Sequence, residues 1–140
     1  MEWTLEEDLR LTRLNRLLPA VGFERSHVQF ADFPPGTDGA TGWIGRDRYA
    51  MVAQRLGDAE AEATVLHEAA HWRLGHEEPA SGYEEARNLD LQAGTDHHRA
   101  PYEHAANDLA RAWIEEHASL LTDPDASRNY LDEDDAHYTA

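Results

Sequence analysis

His67 and His71 stand four residues apart, and Glu68 follows the first of them directly. On a helix, side chains at that spacing lie one above the other on a single face. The two imidazoles of His67-Glu68-Ala69-Ala70-His71 can therefore point at one cation. The chain has no cysteine, so disulfides and thiolate sites are excluded and a zinc ion would be held by His and carboxylate groups. Zinc lowers the pKa of a bound water toward ~7. Glu68 projects beside such an ion rather than onto it, where a carboxylate can accept the water's proton. This is the physical content of the H-E-x-x-H pattern, and it predicts one Zn2+ per chain with Glu68 as catalytic base.

A catalytic zinc site needs a third protein ligand and one open position. Leu74 and Glu77 occupy the positions where an extended H-E-x-x-H-x-x-G-x-x-H motif would carry Gly and His, so that pattern fails. The best third ligand is Glu103, in Tyr102-Glu103-His104-Ala105-Ala106-Asn107. Ala105 and Ala106 allow close approach of a second helix. Asn107, in phase with Glu103, can hydrogen-bond a metal-bound imidazole. Asp90, His97, His98 and His104 are rival ligands, although His104 points about 100° away from Glu103 around a helix. His76, just past Gly75, is expected to pack or cap near the site. Donors for a developing oxyanion would come from Tyr102, His97, His98 or Tyr83, among which the sequence does not choose.

The elements that must position these groups are readable in outline. Thr4 and Glu7 have capping-box spacing ahead of a helix expected over 5–18, with Leu5, Leu9, Leu14, Leu17 and Leu18 as its apolar face and Pro19 closing it. His27–Phe30 is β-prone, and Pro34–Gly39 is a loop. Thr41–Gly45 and Tyr49–Ala53 read as the strands of a hairpin. The metal helix should start with Asp58 as N-cap and stop at Gly75. A further helix is expected over 101–121, with Tyr102, Ala106, Leu109, Trp113 and Leu120 on one face. Residues 1–122 read as a single domain. Residues 123–140, ending near Asp132-Glu133-Asp134-Asp135, read as an acidic tail that is flexible or loosely docked by Tyr130 and Leu131.

Composition narrows the function classes. The chain has 140 residues and a net charge of −16, which argues against nucleic acid as a direct partner. No apolar run approaches the ~18 residues of a membrane span, and the acidic start Glu2–Asp8 is unlike a signal peptide. A cytoplasmic location is expected. Eight of the nine histidines lie from His67 onward, so the chemistry belongs to the second half.

The stretch Thr64-Val65-Leu66-His67-Glu68-Ala69-Ala70-His71, followed by Gly75-His76 and then by Glu103-x-x-Ala106-Asn107-x-x-Ala110, resembles the ImmA/IrrE family of metallopeptidases. The resemblance covers roughly residues 26–121. It implies an α+β, mainly helical, minimal zincin-like fold in which a small antiparallel β-sheet flanks the metal helix. It implies a gluzincin-like site of His67, His71 and Glu103 with Glu68 as base, and an endopeptidase acting on a protein substrate such as a DNA-binding repressor in mobile-element or stress regulation. Ala69-Ala70 stands where the family usually has Leu-Gly, and Leu109 where Phe is common. The alternative is a non-catalytic, zinc-containing interaction or antirestriction-type protein that keeps the fold.

Overall fold

The structure, a computed structural model, describes residues 4–44, 47–75 and 100–138. Within these, the chain is α+β and mostly helical: four helices, a short 3-10 turn and a three-stranded sheet. Helix α1 spans Leu5–Ala20 and opens with the expected capping box, in which the Thr4 hydroxyl accepts from the Glu7 amide. Leu14, Leu17 and Leu18 are buried, whereas Leu5 and Leu9 are exposed, against expectation. At 100° per residue, the step from Leu9 to Leu14 carries the stripe about 140° around the helix, so the two leucine groups face opposite sides. Asn15 ties this helix to the sheet by accepting from the Val28 amide at 2.9 Å.

Strands β1 (Ser26–Ala31), β2 (Gly39–Ile44) and β3 (Asp47–Ala53) form the sheet in the order β1-β3-β2. The hairpin is present: β2 runs antiparallel to β3, with Ile44 opposite Asp47. The sheet as a whole is mixed, which corrects the expected antiparallel one, because β1 lies parallel to β3 from Ser26↔Arg48 to Ala31↔Ala53. The returning hairpin strand inserts beside β1 in the same direction. Ala50, Met51, Val52 and Ala53 are all buried, as the middle strand of a covered sheet requires.

Helix α2 (Asp58–Leu74) runs through the centre of the molecule and packs on β2, β3 and the other three helices. It is buried nearly all round, and alanines at 61, 63, 69 and 70 let its neighbours come close. Gly57 rather than Asp58 is its N-cap. Asp58 instead takes Arg10 of α1 at 2.9 Å. Its C-terminus falls at Gly75 with φ 76°, a left-handed conformation that favours glycine.

Helix α3 (Ala100–Glu116) is shorter than expected and is followed by the 3-10 turn Ala118–Leu120. Ala106, Ala110, Trp113 and Ile114 are buried, while Tyr102 and Leu120 are exposed. Where the sequence reads as a loose acidic tail, the chain forms helix α4 (Pro124–Tyr138), packed on α2 and α3. Asp123 accepts from the Ala126 amide and Pro124 opens the first turn, so the dipeptide that looked like a break starts a helix. Leu131 and Ser127 are its buried anchors, and the Ser127 hydroxyl donates to the Ala59 carbonyl at 2.8 Å. No helix among the described residues is long and apolar enough to cross a membrane.

Candidate metal centre

Helices α2 and α3 pack against each other, and Ala106 and Ala110, in phase with Glu103 on α3, are fully buried. That approach brings three ligand atoms together. Glu103 Oε2 lies 2.8 Å from His67 Nε2 and 3.2 Å from His71 Nε2. The two Nε2 atoms are 3.0 Å apart. A tetrahedral zinc with bonds of about 2.0–2.1 Å spaces its ligands about 3.3 Å apart. The trio is thus a slightly contracted face of that tetrahedron, and it forms the sole cluster of three or more potential ligands among the described residues. His71 and Glu103 are buried and His67 nearly so.

Three lone pairs aimed at one point repel unless a positive charge sits among them. In the metal-free chain a proton serves. Burial opposes charging of His67, but the hydrogen bond and charge of Glu103, with help from Glu68 and Asp134, push its pKa up to about 10. Burial likewise opposes ionisation of Glu103, yet the bonds from His67 and His71 hold its carboxyl well below the usual range. A divalent cation supplies the same compensation with more charge, so the donor set fits one.

Asn107, fully buried, lies 2.6 Å through Oδ1 from His67 Nδ1, as its phase with Glu103 predicts. Its Nδ2 donates to Asp134 Oδ2 at 2.9 Å and to Asp135 Oδ1 at 2.8 Å, both on α4. Asp135 also meets His104 Nδ1 at 2.9 Å and Arg111 Nη2 at 2.6 Å. Burial would raise the Asp135 carboxyl's pKa, but bonds from Asn107, His104 and Arg111 hold it down. His104 therefore faces α4 and lies outside the cluster, which decides between it and Glu103.

Glu68 is buried, one residue beyond His67 on the side of α2 that faces the sheet. A Cβ at Gly39, the first residue of β2, would come within 3.3 Å of Glu68 Oε1 and 2.5 Å of Thr64 Cγ2. The strand thus approaches the helix beside this carboxylate only because residue 39 has no side chain. Next to it, Asp38 accepts from the Tyr130 hydroxyl of α4 and from Arg55 at 2.7 Å.

Tyr102 is half exposed on α3. His76, Tyr83, Asp90, His97 and His98 lie outside the described residues. The acidic pair Asp134 and Asp135 was not anticipated. Its signal was the helical spacing of Ser127, Tyr130, Leu131 and Asp134 behind the Asp123-Pro124 start. No family model matches the chain, and no curated protein or solved structure shows significant similarity to it.

Proposed function

We propose that this chain is a zinc-dependent endopeptidase of the ImmA/IrrE kind, with His67, His71 and Glu103 holding the ion and Glu68 acting as base. The observation that carries the reading is the convergence of Glu103 Oε2 on both imidazoles at 2.8 and 3.2 Å, with a buried carboxylate one residue past the first. When bound, the ion would lower the pKa of water toward ~7 and polarise a scissile carbonyl. Glu68 would take the proton of the attacking water at its carboxylate and deliver it to the departing amine nitrogen. Among the described residues strand β2 forms one edge of the sheet, and it begins beside Glu68, so an extended substrate segment would pair along it. The charge of −16 suits a substrate with a basic surface, as a DNA-binding repressor has.

Glu68→Gln separates an enzyme from a zinc-holding interaction protein. The variant should keep one zinc per chain and lose about 10²–10⁴-fold of its cleavage of a cellular peptide library, read by mass spectrometry of new termini. Equal cleavage by the variant, or no new termini from the zinc-loaded parent, would overturn the peptidase reading.

A further inference from the structure

We infer that the acidic helix α4 is part of the metal centre, with Asp134 and Asp135 as positioning residues that act through Asn107 on His67. The inference rests on the metal-site reading above and goes beyond it. Asn107 is an amide whose two ends differ: the oxygen accepts and the nitrogen donates. Its nitrogen lies 2.9 Å from Asp134 and 2.8 Å from Asp135. Ionised carboxylates only accept, so they fix the amide nitrogen toward α4. The oxygen is thereby fixed toward His67, 2.6 Å from Nδ1. A carbonyl oxygen accepts from a ring N–H, so the proton of a neutral His67 belongs on Nδ1. That leaves the lone pair on Nε2, the atom aimed at His71 and Glu103. The relay from α4 thus selects the tautomer that can bind a cation.

The relay is braced from outside. Arg111 of α3 meets Asp135 at 2.6 Å and Asp132 at 3.1 Å, and His104 meets Asp135 at 2.9 Å. Asn107 is fully buried, so no solvent competes for its amide. A ligand's hydrogen-bond partner of this kind changes metal affinity about 10–100-fold when removed.

The experiment compares zinc affinity, by chelator competition, in the full chain and in its Asp134→Asn/Asp135→Asn variant. Two asparagines offer donors as well as acceptors, so Asn107 is free to turn over and present its nitrogen to His67. The variant should bind zinc about 10–100-fold more weakly. Nitrogen spectra of the zinc-loaded chains should show the Nδ1–H of His67 bonded in the parent and altered in the variant, a change that loss of packing alone would not cause. Glu133→Gln, which removes the same kind of charge from an exposed position of α4 outside the relay and its brace, should leave affinity unchanged. If the double variant does not fold, Asp134→Asn alone retains Asp135 and its ties to Arg111 and His104, and should weaken binding in the same direction. Bound zinc with equal affinity and an unaltered His67 signal in these variants would overturn the inference alone. No zinc bound by the parent would overturn the metal reading and the inference with it.

Discussion

At the site, a divalent cation would compete with a proton for the same place among His67, His71 and Glu103, and the competition has a direction in pH. The folded-state pKa of His67 is raised from 6.5 to about 10, so its contribution to the stability of the metal-free chain is complete below 6.5 and is lost as pH rises through 10. Glu103 is depressed, so its contribution is present above the ordinary carboxylate range and is lost in strong acid. The metal-free protein, kept in chelator, should therefore melt several degrees lower at pH 10 than at pH 7. A melting point that rises across this interval would contradict the ion pair. On the proposed reading zinc would displace the His67 proton, so at neutral pH its uptake should release about one proton per chain. Calorimetry in buffers of different ionisation enthalpy measures this directly.

The elements were unevenly legible, for reasons that their own energetics test. His67, Glu68 and His71 sit within one helix, where spacing alone fixes geometry. Glu103 and Asn107 were found because a carboxylate and an amide in phase beside two alanines leave few other roles. The strand order was hidden, since β-propensity and turn residues mark β2 and β3 as a hairpin but do not say which further strand lies alongside. Helix α4 was hidden by its solvated acidic face, which outweighed Ser127 and Leu131 in the composition. Because Leu131 is 1% exposed, Leu131→Ala should cost about 2–5 kcal/mol in denaturant unfolding if α4 is integral to the core. A cost near zero would restore the loose tail. Gly39→Ala tests the approach of β2 to α2. The new methyl would meet Thr64 Cγ2 at 2.5 Å and the Met51 carbonyl at 3.2 Å, and Thr64 is held by its bond to Glu60. A loss of about 1–3 kcal/mol is expected, and on the proposed reading reduced hydrolysis at retained zinc, because the displaced neighbour is the helix face that carries Glu68.

Across the whole molecule, the question is whether an added ion acts by coordination or merely by diluting charge. A chain of net charge −16 is stabilised to some degree by any cation, since screening relieves self-repulsion. Coordination is different, because it joins α2 to α3 through a particular set of three atoms. Free zinc at about a thousand times its dissociation constant adds about 4 kcal/mol to the folded state. For a domain near this size that raises the melting temperature by about 10 °C. Calcium and magnesium prefer oxygen ligands and gain little from two imidazoles, so at equal concentration they should give only the small shift of screening. His71→Ala should abolish the zinc-specific part and leave the screening part. Glu68→Gln should leave both, since the proposed site does not use Glu68 as a ligand. If zinc and calcium shift the parent equally, and His71→Ala changes neither, the ion acts on the charge of the surface and the cluster between α2 and α3 is an internal ion pair.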